Sequence, residues 1–341
     1  MQERLDVLLA AVAGTEQVLI LPHNDPDPDA IAAALALRHL LAELGPIGSR
    51  IAYQGIVGRA ENKALVRYLG RPLRRLTSGE LRQARTVALV DTQPGTGNNP
   101  LPVDPAPAEQ KTVIVFDHHP RREATAGATF VDLRSDVGAT STILVEYLRA
   151  AGLDLPQPLA TALFYGIKSD TLGLVRGASP ADVEAYFFLQ PHIDVEALGQ
   201  IESAQVAQEY FRRLDAALHA ARVYGQVVIS YVGPMPRPDL AAEMGDLLLR
   251  LKGVQWAICS GAYEDLLILA VRCRSPRGSA GRLVQAIVGE GGTAGGHDVM
   301  AGGQIPLGGR APAAVAREVR RRALAELQEP DTEGRRLLAE W

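Results

Sequence analysis

Cysteine is almost missing from this 341-residue chain, with Cys259 and Cys273 the only two. Neither sits in a CxxC or zinc-type spacing. That excludes a disulfide framework and a thiol redox motif, and leaves two small buried hydrophobes of a reducing compartment. A basic excess is also missing: 35 Lys and Arg against 39 Asp and Glu give a net charge of −4. Proteins that coat long nucleic acid need a basic stripe, so a long duplex is excluded as partner, whereas a mononucleotide-sized substrate needs only a few local cations. No apolar run spans a bilayer. Residues 5–14 fall short of the roughly 20 required, have no basic stretch before them, and read as an amphipathic first helix. The expectation is a soluble, cytoplasmic protein with no membrane partner. Repeats and low-complexity tracts are absent. No heptad seam marks a homodimer interface, although the connector or the apolar parts of the first domain offer one.

What is present is ordinary in bulk and particular in placement. The 47% apolar and 22% charged fractions are those of a globular protein, and the length predicts two domains, each able to bury a core. Apolar runs at residues 17–22, 85–90 and 111–116 end respectively in His23-Asn-Asp-Pro-Asp27-Pro-Asp29, in Asp91, and in Asp117-His118-His119. A fourth apolar segment, 159–169, ends at Asp170. Short β-branched runs that end in polar clusters read as buried parallel strands, and in an open α/β sheet their carboxyl ends converge on one crevice.

The pattern predicts helices at residues 3–12, 30–44 and 136–151, the last with a locally capped start. Further strands are expected at 50–53 and 129–131, and a loop at 93–110. The fold class is α/β, a doubly wound, mostly parallel sheet domain over residues 1–190. A helical connector, 191–222, leads to a smaller α/β domain at 223–330 and a polar, fraying tail at 331–341, with the active site in the cleft between domains. Within the second domain the expected order is strand 226–232, helix 238–252, strands 254–260 and 266–272, helix 280–288, a glycine-dense segment 291–309 and helix 313–327.

Carboxylates brought to one crevice cannot all stay ionised unaided. A pair of divalent cations resolves the repulsion, and two imidazoles in the set fit metal ligation better than simple acid–base work. His23 and Asp27 can bind one ion while Asp29 reaches toward a second. The plain alternative, Asp29 as a helix N-cap, explains one aspartate and not three with a histidine. Asp25 reads as a solvated loop carboxylate. Asp91, at a strand tip, is placed to bridge two ions. Of the adjacent His118 and His119, one can ligate while the other faces substrate, with Asp117 orienting a ring. His39, His192 and His219 read as surface or packing residues.

These motifs resemble the DHH phosphoesterases. The resemblance rests on DHH at residues 117–119, HNDPDPDA at 23–30, the aspartate of VDT at Asp91, GIKSDT at 166–171 and GGHDVMAGG at 295–303. They stand in the family's order over nearly the whole chain. The resemblance implies two manganese ions, with His23 and Asp27 as ligands of the first, Asp29, His118 and Asp170 of the second, and Asp91 bridging. It implies His119 as the histidine facing the scissile phosphate. Glycines of the second domain, Gly295, Gly296, Gly302 and Gly303, would let backbone amides approach a phosphate, with His297 and the pair Arg274-Ser275 as further contacts. Ala294 departs from the pattern, standing where the family has the first of three glycines.

Within that family the chain is similar to small two-domain oligoribonucleases of bacteria that degrade nanoRNA and dephosphorylate 3′-phosphoadenosine 5′-phosphate. The implied activity is manganese-dependent hydrolysis of short oligoribonucleotides or dinucleotides to mononucleotides. Two alternatives stay open: hydrolysis of pyrophosphate or polyphosphate at the same metals, and a nucleotide-binding regulator without turnover.

Overall fold

Burial on both faces is what turns the early apolar runs into a parallel sheet. The computed structural model describes residues 1–45, 47–102, 111–275, 277–296 and 298–338, in two compact units, Met1–Ala204 and Gln205–Trp341. In the first, α1 (Gln2–Ala11) leads into β1 (Gln17–Pro22), α2 (Pro28–Leu44), β2 (Gly48–Tyr53), α3 (Ala60–Tyr68), β3 (Leu73–Arg75) and α4 (Ser78–Gln83). There follow β4 (Thr86–Val90), β5 (Thr112–Asp117), β6 (Phe130–Leu133) and the helices α5 (Thr140–Ala150), α6 (Gln157–Thr171), α7 (Pro180–Leu189) and α8 (Val195–Glu202).

All six strands are parallel, in the order β3-β2-β1-β4-β5-β6. Alternate side chains feed two cores. Val18, Ile20, Ala88, Val90, Ile114 and Phe116 pack with α2, α5 and α6, while Leu19, Leu21, Val87, Leu89 and Val115 fill the opposite face. The chain leaves β1 toward one edge and β4 toward the other, so the topological switch lies between them. In open sheets of this kind, ligands bind at the carboxyl ends beside that switch. The residues following β1 and β4 are those of the first two motifs.

One expectation fails here. Residues 159–169 form part of α6, so Asp170 arrives on a helix and not at a strand tip. Pro156 and Pro158 preset the helical start, and the segment Leu-Ala-Thr-Ala-Leu-Phe-Tyr has little of the β-branching a buried strand would show.

The second unit runs α9 (Gln208–Ala220), β7 (Arg222–Tyr224), β8 (Val227–Pro234), α10 (Leu240–Leu248), β9 (Trp256–Tyr263), β10 (Leu266–Cys273), α11 (Ala280–Val288), β11 (Thr293–Gly296), β12 (Met300–Pro306), α12 (Pro312–Glu326) and β13 (Arg335–Arg336). Its sheet, β11-β12-β10-β9-β8-β7-β13, is antiparallel except between β8 and β9. Leu267, Leu269 and Val271 face α11 and α12, and Ile268 and Ala270 face α10. The glycine-dense segment is a hairpin, with Gly295 opposite Gly302. Residues 335–337 of the tail are tied down through β13 and by Leu337 N donating to Ala221 O at 3.0 Å. Among the described residues, no helix is long and apolar enough to cross a membrane.

Candidate metal centre

The loop after β1 is shaped by its own polar groups. Asp27 is the N-cap of α2, its Oδ1 accepting Ala30 N at 3.0 Å, and Pro28 occupies the first helical position. The cap is thus Asp27, and Asp29 lies inside the first turn. Asp25 departs from the solvated carboxylate expected of it. It adopts φ +57° and accepts Ile56 N at 2.7 Å, stapling this loop to the end of β2.

Asp29 is fully buried and reaches 111 residues along the chain. Its Oδ2 accepts Thr140 N at 2.7 Å and its Oδ1 accepts Ser141 N at 2.8 Å, so it caps α5 from a distance. A locally capped start was expected for this helix, but its N-cap residue is Ala139, with no side-chain cap. Thr140 has another use for its hydroxyl, which donates to Asp91 Oδ1 at 2.9 Å.

Asp91 is 2% exposed and holds φ +60°, a left-handed backbone that costs most non-glycine residues 1–2 kcal/mol. Such strain is characteristic of functional positions. Its two oxygens diverge: Oδ2 stands 3.5 Å from His23 Nε2 and Oδ1 stands 3.4 Å from His118 Nε2. His23 Nε2 is also 3.6 Å from Asp27 Oδ1, and His118 Nε2 is 3.6 Å from Asp170 Oδ2. These distances are too long for good hydrogen bonds. They lie at or just beyond the upper end of the separation of two atoms that share one ion about 2.1 Å from each, about 3.0–3.5 Å.

The other ring nitrogens support ligation. His23 Nδ1 lies 2.7 Å from Asn24 O and His118 Nδ1 3.3 Å from Val137 O, partners that take a hydrogen and leave each Nε2 its lone pair. His119 is held differently. Its Nδ1 is 2.7 Å from Asp117 Oδ1, so that nitrogen carries the hydrogen and cannot ligate, although Asp91 Oδ1 is only 3.6 Å away. At 34% exposure His119 is also the most open of the three, against 16% for His23 and 11% for His118.

The structure therefore gathers His23, Asp27 and Asp91 into one group and Asp29, His118 and Asp170 into a second, with donor atoms of each group within 4.8 Å of one another. Electrostatics show what the set lacks. Burial, with the charges of Asp91 and Asp27, drives Asp29 well above the usual carboxylate range. Burial with Asp27, Asp29 and Asp91 does the same to Asp170. His23 is lowered by burial but raised more by Asp27 and Asp91, to about 10. Burial likewise lowers His119, but Asp117 and Asp91 outweigh it and raise the ring to about 9. Asp27 goes the other way: burial resists, yet the bond to His23 holds it below the usual range. Protons are standing in for positive charge that a divalent cation supplies better, and the mixed carboxylate–imidazole donors fit such an ion.

Gly166 makes the second group reachable. A Cβ there would stand 2.6 Å from Ser141 Oγ and 3.1 Å from Asp29 Cα, so only glycine lets α6 lie close enough to deliver Asp170. The sequence motifs do not include Thr140 or Gln93, and nothing local marks either: Gln93 merely follows Asp91 by two residues, and Thr140 stands far from every motif.

In the second unit, Arg274 is exposed beyond β10 and Ser275 follows it. Cys273 N donates to Val299 O at 2.8 Å and Ala280 N to Asp298 O at 2.8 Å, so this strand end, the hairpin tip and the start of α11 adjoin. The four glycines divide by use. Gly303 fits against Val284 and Val288, and Gly296, at φ +143°, fits against Ala301, whereas a Cβ on Gly295 would meet open space and one on Gly302 only ordinary contact. Ala294 lies in β11 opposite Gly303, without the left-handed backbone that would strain it. His297 lies outside the described residues.

Residues 17–167 match the model of the DHH family, N-terminal domain. An uncharacterized protein of Methanocaldococcus jannaschii is 36% identical over 292 residues, covering 85% of this chain and 58% of that protein. A probable manganese-dependent inorganic pyrophosphatase of Lactobacillus gasseri is 27% identical over 205 residues, 60% of each chain. This chain thus spans about half to three-fifths of the length of such curated relatives. Among solved structures, an exopolyphosphatase-related protein from Bacteroides fragilis superposes with a TM-score of 0.75 at 16% identity, covering 96% of this chain and 97% of that one, a likeness of fold.

Proposed function

We propose that this chain, which carries a DHH-family N-terminal domain over residues 17–167, is a phosphoesterase working with two divalent cations. Its substrates on this reading are short oligoribonucleotides or dinucleotides, cut to mononucleotides, with 3′-phosphoadenosine 5′-phosphate as a further candidate. The observation that carries the reading is the divided carboxylate of Asp91, one oxygen toward His23 and the other toward His118. That is the disposition of a bridge between two ions.

His23, Asp27 and Asp91 would hold one cation, and Asp91, Asp29, His118 and Asp170 the other. When bound, the pair supplies the charge that offsets a phosphate and makes water acidic enough to attack near neutral pH. Thr140 keeps Asp91 from rotating by donating to Oδ1. Asp117 orients the His119 ring by accepting from Nδ1 and helps raise it to about 9, so near neutrality the ring is imidazolium and its Nε2–H can donate to a phosphate oxygen. Manganese is the favoured metal, supported by the donor set and by the manganese dependence in the Lactobacillus relative's name. The oligonucleotide reading draws on the second unit, which offers open backbone at Gly295 and Gly302 and, at the end of β10 and the start of α11, the exposed arginines Arg274, Arg277 and Arg282. Such a surface suits a nucleotide, with backbone amides for one group and cations for its non-scissile phosphate.

Inorganic pyrophosphate is the second reading, favoured by that relative. The deciding experiment is Mn²⁺-dependent hydrolysis of 5′-phosphorylated diadenylate, with adenosine bisphosphate, a cyclic dinucleotide and pyrophosphate in parallel. Conversion of the diadenylate to AMP supports the first reading. Turnover of pyrophosphate alone moves the chain to the second, and inactivity on all four removes both.

A further inference from the structure

Gln93, two residues beyond Asp91, is fully buried and spends its whole side-chain amide on one neighbouring stretch of chain. Nε2 donates to the carbonyls of His119 at 3.4 Å and Pro120 at 3.1 Å. Oε1 accepts from Arg122 N at 2.9 Å and Thr125 Oγ1 at 2.8 Å. A primary amide has two donor hydrogens and two acceptor lone pairs, and all are used. Turned over, the oxygen would face two carbonyls and the nitrogen two donors, so the network permits one orientation.

The amide stands on a rigid base. Gln93 O accepts from Thr96 Oγ1 at 2.8 Å and Asn99 Nδ2 at 2.8 Å, and Thr92 Oγ1 donates to Asn98 Oδ1 at 2.5 Å. Asn98 O in turn accepts Asn24 N at 2.6 Å. The short loop after Asp91 therefore grips the backbone beside His23 on one side and the backbone of His119 on the other. Asp117 fixes which way the His119 ring turns and takes the backbone N–H of His119 at 3.2 Å, which leaves the carbonyl side of that backbone to be held. Pro120 has no N–H to anchor that backbone, and the Gln93 amide holds it through its carbonyls.

We propose that Gln93 is a positioning residue: it sets the place of His119 beside the metal centre and acts on turnover only through that histidine. The kinetic consequence rests on the hydrolase reading above; the placement itself does not. Gln93→Met removes all four bonds at nearly constant length. Gln93→Glu keeps the two that the oxygen accepts and sets a second oxygen against the His119 and Pro120 carbonyls, a second variant that reverses only the donor half of the grip.

The test uses the full chain with Mn²⁺ and the diadenylate, each variant made alone and combined with His119→Ala. The expected result is a kcat lower by about thirtyfold, with KM and bound Mn²⁺ within about twofold, and no further loss when His119 is already gone. Equal losses in both backgrounds, or loss of Mn²⁺ binding, overturn the proposal, because those are the marks of a general structural defect. A second readout needs no activity. In the metal-free protein the His119 Cε1–H NMR signal should shift in Gln93→Glu while those of His23 and His118 stay, and an unmoved His119 signal overturns the placement. A wild type inactive on every phosphate substrate removes the hydrolase reading and leaves the NMR arm to decide.

Discussion

Gly166 of α6 lies so close to Asp29 of α2 that a side chain has no room between them: a Cβ would come 3.1 Å from the Asp29 Cα and 2.6 Å from Ser141 Oγ. This approach puts Asp170, one helical turn further on, within reach of His118. Gly166→Val should therefore destabilise the fold by about 1–3 kcal/mol through overpacking and weaken Mn²⁺ binding at the same time. Urea unfolding and metal titration check the pair of effects; a variant with wild-type values in both would show that the contact is not limiting.

Asp91 calls for a substitution that spares its left-handed backbone. Asparagine tolerates φ near +60° better than alanine, so Asp91→Asn separates lost charge from lost backbone fit. The expectation is an intact fold by circular dichroism, loss of one of two bound Mn²⁺ ions, and turnover reduced by about a hundredfold or more, in line with losing an electrostatic group at a reacting centre. Asp91→Ala should abolish hydrolysis outright. Near-normal turnover in either would refute the bridging role.

Metal binding should depend on pH with a definite sign. Burial and neighbouring carboxylates raise Asp29 and Asp170, and His23 stands at about 10. In the metal-free protein these sites hold protons near neutrality, and ligation must expel them. Affinity should therefore rise with pH, by about tenfold per unit for each proton released. Calorimetric Mn²⁺ titrations in buffers of different ionisation enthalpy count those protons. A pH-independent affinity with no proton release would contradict the arrangement.

The cysteines should be silent in the folded state. Burial pushes the Cys259 thiol up to about 12, with Arg272 opposing and Asp246 adding, and it raises Cys273 as well. At about pH 8 a thiol reagent should label neither until denaturant is added. The same shift adds stability that is complete below the unfolded thiol's value of about 8.5 and fades as pH climbs toward about 12. Rapid labelling of native protein would disprove the burial.

Residues whose role follows from local pattern were legible in the sequence. The apolar runs before His23, Asp91 and Asp117 read as buried strands because they are short and all carry β-branched residues. The switch point then follows from βα alternation, and α11 begins and ends at Ala280 and Val288 as its periodicity requires. What escaped depends on distant chain. Asp170 looked like another strand end because an apolar run of that length does not declare its period. The glycine-dense segment 291–309 declared no strand because glycine carries no strand preference; its pairing with β10 is a tertiary fact. The start of α5 looked locally capped, but its cap comes from Asp29. Gln93 carried no signal, since a buried glutamine is recognised only by the four groups around it.

Asp29 and Asp170, pressed together with their neighbours, make the metal-free chain repel itself at the tip of its own sheet. A cation that relieves this strain acts as a folding ligand as well as a cofactor. At a concentration one hundredfold above its dissociation constant it adds about 2.7 kcal/mol to the stability of the fold, a sizeable share of the roughly 5–15 kcal/mol a domain commands. Metal supply would then govern how long the protein survives in the cell as well as how fast it works.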